Sequence, residues 1–353
     1  MQAIQSLSYP VYFEDTFREL ANFIQRSAYS KVFVLVDTNT ETHCLPLLQP
    51  FLEGVEYDII EVDPGEENKN IDFCIGIWRM LLDFGADRNS LLINLGGGVI
   101  TDMGGFAAAT FKRGIDFVQV PTTLLSQVDA SVGGKTGIDM DHVKNVIGTF
   151  SQPKAVFIET DFLRTLDERQ LVSGFAEMLK HGLIFDAAYF SQLIHHRGEI
   201  LPELIHRSVE IKNEVVTADP LEKGLRKILN FGHTIGHAIE SLSLEKDQDP
   251  LLHGEAIAIG MICEAYLSSK LNGLSTAELE LITKTIRTHY PDYHLSKLSN
   301  KEILEVMKKD KKNRRQEIGF ALLSKIGSCD FDKYVPEAEI IESLNYYHRL
   351  GQE

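Results

Sequence analysis

The hydrophobic pattern of this sequence changes partway along the chain, and this change constrains the fold more than any other feature. Apolar runs rich in β-branched residues occur in the first half at 31–36, 57–62, 91–95, 117–120 and 155–158. Segments in which apolar residues recur at helical spacing, such as 17–24 and 73–84, separate these runs. Strands that alternate with helices form βαβ units, so we predict an α/β region with a mostly parallel sheet.

After about residue 165 the strand pattern stops and helical spacing dominates. The predicted helices lie at 167–184, 203–217, 226–243, 253–272, 276–289 and 300–309. One short apolar run, Gly319–Leu323, is expected to form a strand that returns to a sheet. We therefore predict two domains, an α/β domain at 1–165 and an all-helical domain at 166–353.

The composition excludes several classes of function. The 353 residues include 35 Lys and Arg against 51 Asp and Glu, a formal net charge of −16, which disfavours binding to nucleic acids or anionic membranes. No run of 18 apolar residues predicts a membrane-spanning helix, and the first basic residue is Arg18, which argues against a signal peptide. The four cysteines are far apart in the sequence, which disfavours a disulfide framework. We expect a cytoplasmic enzyme.

A glycine-rich turn follows one of the predicted strands. The run 91–95 leads directly into Gly96-Gly97-Gly98-Val99, and a strand that ends in glycines before a helix lets the backbone approach a pyrophosphate. The pattern departs from G-x-G-x-x-G because Thr101 occupies the third glycine position, and a plain tight turn is the alternative. Asp37-Thr38-Asn39 follows the first of these strands and could hold a nucleotide ribose or cap the next helix.

Several basic residues lie beside glycine-rich or histidine-rich segments, although the protein is acidic. Lys135, Lys144 and Arg226 have this placement, which favours a pocket for an anionic substrate. The segment around Lys135 is not a P-loop, because Asp129 stands where the first glycine is required.

A histidine pair and two further residues form a candidate metal site. His233 and His237 are four residues apart and share one helix face, and His253 opens the next predicted helix. Glu177 lies in an apolar helical stretch, where a buried carboxylate requires a partner. Two histidines and a glutamate are a common catalytic zinc set, although such histidines can also be purely structural. A metallopeptidase is disfavoured because Thr234 replaces the general-base Glu of HExxH.

Taken in order, these motifs resemble the 3-dehydroquinate synthase family. The matching segments are Gly96–Asp102, Val120–Leu125, Asp129, Gly133–Thr136, Lys144-Asn145, Ala176–Lys180, Leu229–His237 and His253–Glu255. The resemblance implies an N-terminal Rossmann-like domain that binds NAD and a helical C-terminal domain that binds substrate and one divalent metal, zinc or cobalt. The implied reaction converts 3-deoxy-D-arabino-heptulosonate 7-phosphate into 3-dehydroquinate and phosphate, in the shikimate pathway to aromatic amino acids. It comprises oxidation, phosphate elimination, reduction and an intramolecular aldol step.

The resemblance also assigns roles to individual residues. The implied metal ligands are Glu177, His233 and His253. The implied NAD contacts are Asp37, Asn39, Glu66, Lys69, Gly96, Gly97, Gly98, Val99, Asp102, Thr122, Thr123 and Lys144. The implied catalytic residues are His237, Glu222, Lys135, Asn145, Lys180, Arg226 and Asn230, with His237 and Glu222 as candidates for proton transfer. The implied further substrate contacts are Asp129, Lys212, Lys311 or Lys312, and Arg113, which would act across a homodimer on the neighbour's phosphate.

Three alternatives stay open. Another sugar-phosphate cyclase, making a valiolone or inosose ring, shares most of these motifs, although Asp129, Lys180 and Asn230 favour the dehydroquinate pattern. A metal-dependent polyol dehydrogenase of the glycerol-dehydrogenase type has the same two-domain plan but does not need a cluster of phosphate-binding residues. A non-catalytic binding protein would not need a metal site and a nucleotide loop.

Overall fold

The structure is a computed structural model that describes residues 1–140, 143–195, 200–295, 298–308 and 318–352. The chain forms two compact units, Met1–Leu171 with Ile200–Thr217, and Val172–Glu199 with Ala218–Glu353. The domain boundary at residue 165 stays a prediction. The segment 200–217, which we expected in the second domain, belongs to the first compact unit.

The first unit is built on a seven-stranded sheet in the order β1-β2-β9-β6-β5-β3-β4. Its strands are β1 (Ile4–Ser6), β2 (Tyr9–Tyr12), β3 (Val32–Asp37), β4 (Tyr57–Val62), β5 (Leu91–Gly96), β6 (Asp116–Pro121) and β9 (Val156–Phe157). All neighbouring strands pair in parallel except β1 and β2. The expected mostly parallel sheet is therefore confirmed.

Helices cover both faces of this sheet because its strands are apolar on both sides. The helices up to residue 110 are α1 (Thr16–Arg26), α2 (Thr38–His43), α3 (Leu45–Leu48), α4 (Ile71–Asp83) and α5 (Gly98–Thr110). In β3, Val34 belongs to the apolar core that contains Leu20 of α1, whereas Phe33 and Leu35 belong to the core that contains Ile77 of α4. Successive side chains of a strand point to opposite faces, which produces these two layers.

A β-hairpin that the sequence pattern did not indicate follows β6. It consists of β7 (Lys135–Met140) and β8 (Val143–Phe150), which pair antiparallel in a sheet of their own. Gly137 and Gly148 face each other across the hairpin, and a Cβ on Gly148 would lie 2.2 Å from the carbonyl oxygen of Thr136. Only glycine therefore fits at this crossing.

Helices make up most of the rest of the chain. They are α6 (Glu168–Phe185), α7 (Ala187–His195), α8 (Pro202–Ala218), α9 (His233–Lys246), α10 (His253–Leu271), α11 (Thr276–His289), α12 (Asn300–Lys308) and α13 (Glu337–Leu350). The expected helical domain is confirmed in outline. The helix predicted at 226–243 begins later than expected, at His233. Leu225–Asn230 is a 3₁₀ turn, and the φ of +80° at Gly232 separates this turn from α9.

The second unit also contains one hairpin, so it is not all-helical. Strands β10 (Ile318–Lys325) and β11 (Ser328–Val335) pair antiparallel in a separate two-stranded sheet. The run Gly319–Leu323 is thus a strand as expected, but it pairs with β11 and does not join the large sheet. Within the described part of the chain, no helix combines the length and apolarity needed to cross a membrane.

Candidate active site

The glycine turn lies at the carboxyl edge of the parallel sheet. Gly96 ends β5, and Gly97 is the N-cap of the 13-residue helix α5. A Cβ on Gly96 would lie 2.5 Å from the Ile100 side chain, and one on Gly97 would lie 3.0 Å from Thr123 Cγ2. The tight turn therefore requires glycine for packing. The first turn of α5 carries no acidic side chain, so its N-terminus suits an anion.

The other predicted nucleotide contacts of this edge follow neighbouring strands. Asp37 ends β3 and caps α2, because its Oδ1 accepts a 2.9 Å hydrogen bond from the Thr40 N–H. Asn39 is exposed in the first turn of α2. Thr122 follows β6, and its N–H donates to the Gly96 carbonyl oxygen at 3.0 Å. Asp37 was expected either to hold a nucleotide ribose or to cap the next helix, and in the structure its carboxylate caps α2.

A cluster of charged side chains lies in the same unit. The buried Lys69 ammonium is 2.7 Å from Asp102 Oδ2 and 2.8 Å from Asn145 Oδ1, while Lys144 Nζ is 2.6 Å from Glu66 Oε1. Burial alone would lower the pKa of Lys69, but Asp102 and Glu66 outweigh it and raise that pKa. Burial raises the pKa of Asp102, against the effect of Lys69. We call these five residues the ion network.

The backbone of Asn145 is held in an unusual conformation. Its φ of +50° lies in the left-handed region, which is uncommon for residues other than glycine. Its N–H donates to Asp139 Oδ1 at 2.6 Å, and the Asp139 N–H donates to the Lys69 carbonyl oxygen at 2.8 Å. Asp139 therefore links the hairpin to the ion network. Sequence reasoning missed it because the hairpin itself was not predicted.

Two other predicted substrate residues of this unit form an ion pair. The buried Lys212 ammonium, on α8, lies 2.9 Å from Asp129 Oδ1 and also contacts the Asp129 carbonyl oxygen. Lys135 begins β7 with an exposed side chain. Arg113 is exposed in the turn after α5, where its φ is +72°.

The second unit brings together the predicted metal ligands. Glu177 on α6 is fully buried, and its Oε1 lies 3.5 Å from His233 Nε2 and 3.4 Å from His253 Nε2. Lys180, also buried, contacts the other carboxylate oxygen of Glu177. One ring nitrogen from each of His233, His237 and His253 lies within 4.8 Å of the others. We call Glu177 and the three histidines the histidine cluster.

The spacing of the donor atoms fits a divalent metal. In a tetrahedral zinc site with bonds of about 2.0–2.1 Å, two ligand atoms are about 3.3 Å apart. The distances of 3.4 and 3.5 Å from Glu177 Oε1 to the two Nε2 atoms are close to that value. Nδ1 of His233 lies 3.1 Å from the Phe231 carbonyl oxygen, and Nδ1 of His253 lies 3.2 Å from Glu240 Oε2. Each Nδ1 therefore has a protein partner, and each Nε2 is directed at Glu177. Metal-binding histidines are usually oriented in this way, by a partner on the ring nitrogen that does not bind the metal.

The two histidines experience opposite electrostatic environments. Burial lowers the pKa of His233 well below its usual value, and the Lys180 ammonium lowers it further. Burial also acts to lower the pKa of His253, but Glu240 and Glu177 outweigh it and raise this pKa to about 10. The cluster therefore places two histidines with opposite pKa shifts beside one buried carboxylate.

Glu240 is a part of this site that sequence reasoning missed. It is buried on α9, and its carboxylate holds the ring of His253. A signal was present in the sequence, since Glu240 follows His237 by three residues and His233 by seven, which places all three on one helix face.

The loop before α9 is organised by a second carboxylate that sequence reasoning missed. Asp219 accepts backbone N–H bonds from Lys223 at 3.0 Å, Gly224 at 2.7 Å and Arg226 at 3.1 Å. Burial acts to raise the pKa of Asp219, but these N–H groups outweigh it and lower this pKa. Asp219 therefore fixes the backbone from which Arg226 projects.

Three predicted catalytic residues lie on this same loop. The buried Arg226 donates from Nη1 to the Pro220 carbonyl oxygen at 2.7 Å. Asn230 donates from Nδ2 to Glu222 Oε1 at 2.7 Å, and Glu222 has a φ of +57°. The predicted substrate residues Lys311 and Lys312 lie outside the described residues.

Comparison with known proteins identifies the family. Two family models match consecutive parts of the chain, 3-dehydroquinate synthase N-terminal at 59–173 and 3-dehydroquinate synthase C-terminal at 174–313. The chain belongs to the 3-dehydroquinate synthase family. A 3-dehydroquinate synthase from Parabacteroides distasonis is 44% identical over 339 residues, which cover 95% of this chain and 96% of the relative.

Solved structures of sugar-phosphate cyclases share the fold. A 2-epi-5-epi-valiolone synthase from Streptomyces hygroscopicus, solved with NAD+ and Zn2+ bound, has a TM-score of 0.88 and 27% identity, and the match covers 99% of both chains. A 2-deoxy-scyllo-inosose synthase, complexed with carbaglucose-6-phosphate, NAD+ and Co2+, has a TM-score of 0.84 and 24% identity, over 98% of this chain and 99% of that chain. The dehydroquinate synthase-like fold that the sequence motifs implied is confirmed.

Proposed function

We propose that this protein is a 3-dehydroquinate synthase that converts 3-deoxy-D-arabino-heptulosonate 7-phosphate into 3-dehydroquinate and phosphate. The observation that carries the proposal is the convergence of Glu177, His233 and His253 in a chain of this family. The 44% identity to a relative of that name, over nearly the full length of both chains, supports the same activity.

The proposed cofactors are NAD and one divalent metal, zinc or cobalt. Glu177, His233 and His253 would hold the metal, which supplies Lewis-acid polarisation of the substrate's alcohol and ketone oxygens. The glycine turn and the N-terminus of α5 would hold the NAD pyrophosphate, and NAD supplies the acceptance and return of a hydride. Four residues of the ion network, Glu66, Lys69, Asp102 and Lys144, would contact the rest of the dinucleotide.

The protein's own side chains are proposed to bind the anionic substrate and to move protons. Lys135, Lys212 and Arg226 offer cationic donors for the phosphate and carboxylate groups. Glu222 receives a hydrogen bond from Asn230, which holds its carboxylate in place for proton transfer through bound water. His237, half-buried on α9, is the second proton carrier in this proposal.

A homodimer in the cytoplasm completes the proposal. In this proposal Arg113, which is exposed in the turn after α5, reaches the phosphate bound by the second subunit. The four cysteines are free thiols, as expected in a reducing compartment. Mixing Arg113→Ala with Lys135→Ala, each inactive alone, should restore some activity in mixed dimers, and a failure in every mixture would contradict the role across the dimer.

The decisive experiment follows phosphate and NADH together. Purified protein is supplied with the heptulosonate phosphate and a small amount of NAD, with or without a chelator. We expect many phosphates released for each NAD, no net NADH, and complete inhibition by the chelator. NADH formed in step with substrate consumption would indicate a polyol dehydrogenase instead. Turnover only of a different sugar phosphate would indicate another cyclase.

A further inference from the structure

A buried carboxylate of the second unit has no role in the proposed reaction. Glu264 lies on α10 and is fully buried. Its Oε2 accepts a 2.7 Å hydrogen bond from the Gly232 N–H, and its Oε1 accepts a 3.1 Å hydrogen bond from the Ile235 N–H. Gly232 is the N-cap of α9, and Ile235 is in its first turn. Glu264 thus satisfies donors that the start of a helix leaves without an intrahelical acceptor.

The cap comes from another helix because the start of α9 has no room for a side chain. A Cβ on Gly232 would lie 2.5 Å from Met261 Cγ, and a Cβ on Gly260 would lie 1.9 Å from the Gly232 carbonyl oxygen. Gly232 also has a φ of +80°, where a residue with a side chain would be strained. A local Ser, Thr or Asp cap is therefore excluded at this position, and α10 provides the acceptor.

The two capped N–H groups flank a predicted metal ligand. His233 is the first residue of α9 and lies between Gly232 and Ile235. Its Nδ1 is held by the Phe231 carbonyl oxygen, so the direction of Nε2 follows the backbone of this turn. Any shift of the helix start would move Nε2 relative to Glu177 Oε1.

We propose that Glu264 is a positioning residue for the metal site, which fixes the first turn of α9 so that His233 Nε2 meets Glu177. This inference rests on the proposed metal site. A carboxylate suits the position for two reasons. Its two oxygens can accept both N–H bonds at once, and its negative charge is favourable at a helix N-terminus.

The test compares Glu264→Gln with Glu278→Gln in the full-length protein. The amide that replaces the Glu264 carboxylate would keep one acceptor oxygen, so the variant should fold while one of the two N–H bonds is lost. Glu278 caps α11 in a similar way, accepting from the Ser275 and Ile326 N–H groups at 3.0 and 2.9 Å, but adjoins no predicted metal ligand. Zinc affinity is measured by competition with an indicator after the metal has been stripped.

We expect Glu264→Gln to weaken zinc binding by about 10-fold or more and Glu278→Gln to leave it unchanged, although both lower the thermal stability of the metal-free protein. Equal zinc affinity in Glu264→Gln and the wild type would overturn the inference. Absence of zinc binding in the wild type would instead refute the proposed function on which it rests.

A second measurement needs no variant. If Glu264 fixes the helix start, the amide hydrogens of Gly232 and Ile235 should be protected from exchange in the metal-free wild-type protein. Protection that arises only when zinc is added would show that the metal, and not Glu264, orders this turn, and would overturn the inference.

Discussion

The ion network of the first unit and the histidine cluster of the second unit both concentrate titratable groups, yet they balance charge in different ways. In the ion network each ammonium lies within 2.7 Å of a carboxylate oxygen, so the protein supplies its own counter-charges. In the histidine cluster a buried carboxylate oxygen faces two ring nitrogens at the spacing of metal ligands. The first arrangement therefore favours a role in stability. The second, although Lys180 also contacts Glu177, has the donor spacing of the proposed metal site.

The largest effect is expected in the histidine cluster. His253→Ala removes one of three proposed protein ligands. Loss of a residue that only supports a ligand already costs up to about 100-fold in metal affinity, so metal affinity and activity should each fall by more than that here. The circular dichroism spectrum should not change. His348→Ala, on α13, is the control and should keep its metal. Full metal content in the His253 variant would contradict the ligand assignment.

The ion network should respond in stability. Lys69→Met removes the ammonium beside Asp102 and Glu66, which leaves their charges poorly compensated, and should lower the free energy of unfolding by about 3 kcal/mol. Lys154→Met is the control. It breaks an exposed ion pair with Asp116 at 3.2 Å and should cost less than about 1 kcal/mol. Urea unfolding measures both changes, and equal costs would show that the ion network contributes no more stability than an exposed ion pair.

Glu240 tests whether the histidine cluster depends on support outside the ligands. Glu240→Ala removes the acceptor that holds His253 Nδ1, so zinc affinity should fall by about 10–100-fold, less than for His253→Ala. Glu245→Ala, an exposed change on the same helix, should leave zinc affinity unchanged. A variant at Glu240 with normal affinity would show that packing alone orients His253.

How far the sequence predicted the molecule depends on whether a feature arises from a local pattern or from a long-range contact. His233 and His237 share a helix face by simple periodicity, and the motif order brought Glu177 and His253 into the same site. Five of the seven strands of the large sheet are apolar runs bounded by turn residues, and their predicted positions were close to correct, whereas β1 and β2 were not predicted. These features depend on local patterns.

Features that depend on long-range contact were missed. Asp139 binds the Asn145 backbone only because β7 and β8 form a hairpin, and Glu264 caps α9 from a different helix. Helix α13, which packs on α10, was also not predicted, although its buried residues Ile340, Leu344 and Tyr347 recur at helical spacing. A single sequence shows which residues could form such contacts but not which partner they meet.

The smallest expected effect comes from an exposed carboxylate, which provides a baseline for both regions. Lys246 and Ser299 lower the pKa of Glu302 to about 2, and its Oε1 lies 2.5 Å from Lys246 Nζ. Because the folded-state pKa lies below the ordinary value of 4.5, Glu302 stabilises the fold above about pH 4.5, and this contribution disappears as the pH falls through about 2.

Glu302→Gln should therefore lower the Tm at pH 7 by no more than about 2 °C, since surface ion pairs contribute little. The Tm values of variant and wild type should approach each other as the pH falls through that window, because protonated Glu302 and glutamine carry the same charge. Thermal unfolding across this pH range measures the difference. A difference that stayed constant down to the acid limit would mean that Glu302 acts through its hydrogen bonds to Ser299 and not through its charge.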